Sequence, residues 1–168
     1  MLLYMVSKFR KSLKVPTALN IINTTNLSRK KRNAVLAKAG IIFNGKSAIM
    51  SPFFFEKGRI EVGEQVYVNA NCTFLDHEKI SIGCHTLIGP NVTLTTADHW
   101  VDPEHRNKGI ISKPITIGKN VWLGAGVVVL PGVTIGDNSV VAANSVVRSD
   151  IEPGSLYAGA PAKFKRFL

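Results

Sequence analysis

The sequence predicts an all-β solenoid, a parallel β-helix of about five coils preceded by a short helical cap and broken once by a long loop over residues 95–114. Two observations predict it. Residues 117–152 divide into six hexads without a slip: IGKNVW, LGAGVV, VLPGVT, IGDNSV, VAANSV, VRSDIE. Upstream, apolar residues keep the same spacing through three more coils, and every departure falls at one corner of the repeat.

A period of six is neither the helical 3.6 nor the strand period of two. It fits a short strand, a turn and another short strand, the pattern of a hexapeptide β-helix. An aliphatic residue opens each hexad: Ile117, Leu123, Val129, Ile135, Val141 and Val147. The fifth place holds Val121, Val127, Val133, Ser139 and Ser145, all small or β-branched. The opener points inward, and Gly or Asn permits the corner, where φ turns positive. Three hexads make one coil, and each coil buries its apolar face only against its neighbours.

Residues 1–41 do not obey this rule. Leu2, Val6, Phe9 and Leu13 recur at helical spacing with Lys8, Arg10, Lys11 and Lys14 between them, and Pro16 is expected to stop that helix. Ser28 is placed to N-cap a second helix through Ala39, ending at Gly40, although Arg29, Lys30, Lys31 and Arg32 then oppose the helix dipole. Two readings compete for the first helix. One is a cap over the open end of the solenoid; the other is a basic amphipathic helix resting on the inner face of a membrane.

The expected openers begin Ile42, Ala48, Phe54, then Val62, Val68, Phe74, then Ile82, Ile88, Leu94. The first two coils each carry two extra residues after the third strand, and the third departs there through TTADHWVDPEHRNKGIISKP before the frame returns at Ile117. Loops carried by rigid scaffolds tend to hold function. Counting places Asp76 and His77 beneath Thr96 and Ala97, near His99 at the mouth of this loop. The chain thus divides into a cap over 1–41, hexad coils over 42–152 and a basic tail over 153–168.

At 168 residues with 45% apolar content, the chain is one domain with room for a real core. Its 21 Lys and Arg against 11 Asp and Glu favour an anionic partner, whether a phosphorylated cofactor, nucleic acid or an acidic membrane surface, beside the simpler reading of a soluble basic surface. Cys72 and Cys84 form no disulfide framework, so a reducing cytoplasm is expected. No apolar run approaches the ~20 residues of a membrane span, and the first residues lack the features of a signal peptide. Histidines 77, 85, 99 and 105 show no metal-ligand spacing, so no metal is expected. Basic–aromatic interleaving suited to nucleic acid is absent as well.

Neutral imidazole accepts a proton from a hydroxyl near pH 7, and His99 is the best placed of the four to do so. The segment TLTTADHWVDPEHRNKG, followed by KPITIGKNVWLGAGVVVLPGVTIGDNSVV, resembles the loop and following coils of the hexapeptide-repeat galactoside and maltose O-acetyltransferases. The resemblance covers about residues 42–166. It implies a left-handed β-helix, acetyl coenzyme A as co-substrate, a saccharide acceptor and a homotrimer with active sites between subunits. It makes His99 the catalytic base and Asn69 an acceptor contact. His77 stands where the galactoside enzyme has an acidic acceptor ligand, with Asp76 just before it, and the sequence leaves open which of the two meets the acceptor. Trp122, Ala125, Ala143, Arg148 and Ser149 match positions lining the coenzyme, and Lys163 and Arg166 match basic residues near its phosphates. Simpler roles stand beside these: Trp122 as packing between chains, Lys163 and Arg166 as a solvated tail, Asn69 as a turn residue. The alternatives for function are an acyltransferase with an amino-sugar, serine or antibiotic acceptor, and a non-catalytic scaffold.

Overall fold

The computed structural model describes residues 2–168, with the side chains of Leu2 and Leu3 outside the described part. Short parallel strands stack into three faces of five, seven and five strands. The first face runs from Ile42–Phe43 through Ile60–Val62, Ile80–Ile82 and Ile115–Ile117 to Thr134–Ile135. The second carries Trp122–Leu123 and Val140–Val141, and the third carries Thr93–Thr95, Val128–Val129 and Val146–Val147. Openers stack in register, Ile82 on Ile117 on Ile135 along the first face and Ile88 on Leu123 on Val141 along the second.

The corners explain the rest of the hexad. Its fourth place takes a positive φ in nine turns: at Gln65, Asn71, His85, Asn91, Asn120, Asn138 and Asn144, and at Gly126 and Gly132. Asn and His tolerate that conformation better than most residues. His85 is therefore an exposed corner residue, on a turn that the repeat itself requires. Fifth-place side chains are buried, and their hydroxyls are satisfied: Ser139 donates to the Glu152 carbonyl at 2.7 Å and Thr86 to the Gly118 carbonyl at 2.8 Å.

The first coil is shifted by one residue from the expected frame. Phe43 pairs with Val62, Ile49 with Val68 and Phe55 with Phe74, so the openers are Phe43, Ile49 and Phe55. Ile42 and Phe54 instead face outward, 56% and 43% exposed. The step from Phe55 to Val62 thus carries one extra residue rather than two. The far end also differs, because the coils number about six rather than five. Ile151 is buried and bridges Ile135, and the strand Ser155–Ala158 continues the second face before Lys163–Phe167 folds back against it antiparallel.

Three helices close the other end: α1 (Leu2–Ser7), α2 (Val15–Thr24) and α3 (Arg29–Lys38). The first ends earlier than its spacing suggested, and Pro16 starts a helix rather than stopping one, because proline suits the first turn, where no intrahelical N–H bond is needed. Ala18, Ile21 and Ile22 of α2 and Val35 and Leu36 of α3 cover the core of the first coil. Side chains satisfy the open strand edge. Asn23 accepts from the Phe53 N–H and donates to its carbonyl, both at 3.0 Å. Buried Arg32 donates to the Ile49 carbonyl at 3.1 Å and to the Leu27 carbonyl at 3.2 Å, which gives one member of the basic run a packing role.

Candidate active site

The expected site residues fall on two edges of the third face. The first edge is the turn between the second and third faces. There Asn69, Trp122, Ala125 and Ala143 line one groove of about 570 Å³, together with Pro90, Gly124 and Leu156. Coils approach closely at this corner: a Cβ on Gly124 would lie 2.5 Å from the Ala143 nitrogen, so glycine is the residue that fits. Trp122 is 55% exposed and lies within a row across the second face, in register with Leu87 on one side and with Val140, Leu156 and Arg166 on the other. At ~4.8 Å per strand, Arg166 sits roughly 14 Å from Trp122 along this row. Lys163 lies nearby on the same strand, opposite Ala158.

The second edge is the turn after the third face, and it carries the long loop. The loop leaves as an antiparallel arm, Ala97–Asp98 against Ile111–Ser112. His99 lies just beyond the arm, exposed, in a groove of about 430 Å³ with Asp98, Trp100, Lys113 and Pro131. Its Nδ1 is 3.1 Å from the Arg106 carbonyl oxygen. A carbonyl only accepts, so the bond requires the proton on Nδ1; in the neutral imidazole the Nε2 lone pair is then free. Nearby, Asp102 bonds His105 Nδ1 and the Glu104 N–H, and the His105 bond above all holds its carboxyl below the usual range.

Arg148 and Ser149 are exposed on this second edge, in register with Leu130 and Pro131, and so lie apart from Trp122 and Ala143 within one chain. His77 is on the same edge, where its Nε2 meets the Glu56 carboxylate at 2.9 Å. Asp76 does not fit the expectation of an acceptor contact. Its carboxylate is fully buried, with Oδ1 accepting from the N–H groups of Glu56 and Lys57 at 2.7 and 3.0 Å and Oδ2 from that of Arg59 at 2.6 Å. Three of the carboxylate's four lone-pair sites are taken by the 56–59 turn, and the group has no exposed surface to offer a ligand. Counting did not identify Lys113, Pro131, Pro90 or Leu156 as lining residues. The strand registers alone would have supplied Leu156, as the partner of Val140.

A family model described as bacterial transferase hexapeptide (six repeats) matches residues 114–149. The galactoside O-acetyltransferase of Escherichia coli (strain K12) is 41% identical over 159 residues, which is 93% of this chain and 78% of that protein. The chain belongs to the hexapeptide-repeat acetyltransferases. These take their acyl group from acetyl coenzyme A, and within them this acetyltransferase is of the galactoside and maltose O-acetyltransferase type. A Vibrio cholerae O1 biovar eltor hexapeptide-repeat acetyltransferase complexed with acetyl coenzyme A superposes with a TM-score of 0.87 at 40% identity, over 92% of this chain and 85% of that one. A maltose O-acetyltransferase from Clostridium difficile 630 gives 0.86 at 34% identity, over 99% and 88%. The acetyltransferase spans 61 to 78% of the length of the curated relatives it matches. Among its described residues, no three His, Cys, Asp or Glu side chains converge on a common point, and no helix is long and apolar enough to cross a membrane.

Proposed function

We propose that this enzyme transfers the acetyl group of acetyl coenzyme A directly to a hydroxyl of a saccharide acceptor, with His99 as general base. The observation that carries this reading is the Nδ1 bond from His99 to the Arg106 carbonyl beside the loop groove, which in the neutral imidazole leaves Nε2 as the proton acceptor. The acceptor hydroxyl gives its proton to Nε2 as its oxygen bonds to the thioester carbonyl carbon. The carbon–sulfur bond then breaks, and the departing thiolate takes the proton from the imidazolium. Gly124 N–H already donates to the Val141 carbonyl at 2.8 Å. Of the Gly124–Ala125 pair, that leaves the Ala125 N–H as the oxyanion donor, a contribution of roughly 3 kcal/mol. No enzyme nucleophile is needed: Cys72 is buried, and burial pushes its thiol up to about 11. Both cysteines are free, in keeping with a cytoplasmic setting.

His99 and the Trp122 groove lie on opposite edges of the third face, which supports a site made by two chains. A cyclic homotrimer brings one edge of each chain to the other edge of its neighbour. Exposed Trp100, Val101 and Trp122 supply apolar surface for that contact. The experiment is release of free thiol from acetyl coenzyme A in the presence of a panel of saccharides, serine and amino sugars. Saccharide-dependent release that falls about 10²–10⁴-fold in kcat in His99→Ala is the expected result. A variant keeping more than half of wild-type kcat, or a monomer by sedimentation at micromolar concentration, overturns the corresponding part.

A further inference from the structure

The net charge of +10 is not distributed over the molecule. Residues 1–55 hold ten Lys and Arg and no Asp or Glu, whereas residues 56–168 hold eleven of each. All of the excess therefore sits in the helical cap and first coil, and the coils carrying the candidate site are neutral in sum. On the coenzyme placement proposed above, its phosphates do not account for that excess, because Trp122, Ala143, Lys163 and Arg166 belong to the later coils and the strands after them.

The cap couples this charge to apolar surface. Phe9 is 89% exposed, and Met5 and Val6 are about half exposed. Lys8, Arg10, Lys11 and Lys14 are exposed beside them. The segment is held in a defined place: Lys38 Nζ donates to the carbonyls of Ser7 and Lys8 at 2.9 and 3.0 Å, and Leu13 N–H donates to the Lys38 carbonyl at 2.8 Å. A second exposed basic group, Arg29, Lys30 and Lys31, starts α3, whose first turn has no acidic residue. Cations at a helix N-terminus oppose its dipole, so the fold gains nothing from them there.

We propose that the cap end docks on an anionic lipid bilayer, with Phe9, Met5 and Val6 entering the headgroup boundary and the surrounding cations meeting anionic headgroups. Basic residues ringing a short apolar projection are the pattern of interfacial binding, where each cation near the surface adds to the affinity. Nucleic acid offers no apolar phase for Met5, Val6 and Phe9, which favours the bilayer. Docking at this end leaves the later coils open to solvent.

The test is cosedimentation of the full chain with vesicles of phosphatidylcholine, with and without phosphatidylglycerol. Binding is expected only where phosphatidylglycerol is present, and it should fall as salt rises. Lys8→Gln, Arg10→Gln, Lys11→Gln and Lys14→Gln together should weaken it about 100-fold or more, and Phe9→Ser several-fold. Circular dichroism and thiol release should be unchanged in both variants. If the quadruple variant loses its fold, Arg29→Gln with Lys30→Gln and Lys31→Gln replaces it; relieving the dipole conflict should preserve folding, and weaker vesicle binding is again expected. Absence of binding to phosphatidylglycerol vesicles overturns the proposal. So does equal binding to pure phosphatidylcholine, or duplex DNA binding as tight as vesicle binding with Phe9→Ser without effect on either.

Discussion

Replacing Asp76 by Ala separates a structural role from a substrate contact. The native carboxylate is fully buried and accepts three backbone N–H bonds, from Glu56, Lys57 and Arg59. Hydrogen bonds to a charged group contribute about 1.5–3 kcal/mol each, and a stranded buried donor costs about 1–3 kcal/mol. The three do not add fully, because Lys57 and Arg59 are exposed and the 56–59 turn can swing out to find water. A loss of about 3–4 kcal/mol follows. For a chain of this size that lowers the unfolding midpoint by about 6–16 °C. Asp76→Asn keeps the volume but turns one acceptor into a donor facing a donor, so about half that loss is expected. The assay is thermal unfolding by circular dichroism, paired with acceptor KM on the folded fraction. Both variants should lower the midpoint and leave acceptor KM within about twofold. An unchanged midpoint with a raised acceptor KM would refute the reasoning and restore Asp76 as an acceptor ligand.

Lys163→Ala with Arg166→Ala should raise KM for acetyl coenzyme A several-fold, with kcat within about twofold and acceptor KM unchanged, because exposed charge pairs contribute only about 0–1 kcal/mol each. Steady-state kinetics at low and raised salt check this, and wild-type KM at low salt would make both residues a solvated strand only. Burial raises the Cys72 thiol to about 11, so the neutral form is the one the fold favours. Its stabilising contribution is complete below the ordinary thiol value of about 8.5 and lost as pH rises through 11. Native protein at pH 8 should accordingly react with a thiol reagent at Cys84 and not at Cys72, both reacting in denaturant; two fast equivalents in the native state would contradict the burial.

The hexads made most of the coils legible, because an inward side chain every six residues reports directly on the stacked register. That signal weakens where apolar residues crowd together. Ile41-Ile42-Phe43 and Phe53-Phe54-Phe55 fit a period of six in more than one phase, and only pairing with Val62 and Phe74 decides between them. The sixth turn is obscured by a shortened step, four residues from Val147 to Ile151, after which Tyr157 resumes the spacing opposite Val141. Pro16 was ambiguous because proline ends one helix and begins another with equal ease. The placement of His99 at the loop mouth was legible by counting. The role of Asp76 was not, since a carboxylate beside a loop reads the same whether it faces solvent or three N–H groups. Arg148 and Ser149 follow a third-face strand, whereas Ala125 and Ala143 follow second-face strands, which already puts them on different edges of the prism.

The charge division bears on how the coenzyme would be recognised. Residues 56–168 are balanced at eleven of each sign, so they add no net charge to a long-range field around the later coils. On the proposed reading, phosphate groups would be met by cations at contact distance, and Arg166, in register with the row of Trp122, is the residue proposed for that. The cap works on the opposite principle. Its cations include no acid to neutralise them within residues 1–55, so their fields sum, and they act on a surface rather than on one small anion. Salt should separate the two: cap-driven binding to vesicles should decline steeply with ionic strength, while KM for acetyl coenzyme A should change little beyond the weak local term. Parallel salt dependence of both would mean that the two sets of cations share one electrostatic task, against the separation by coil that the sequence and the strand order describe.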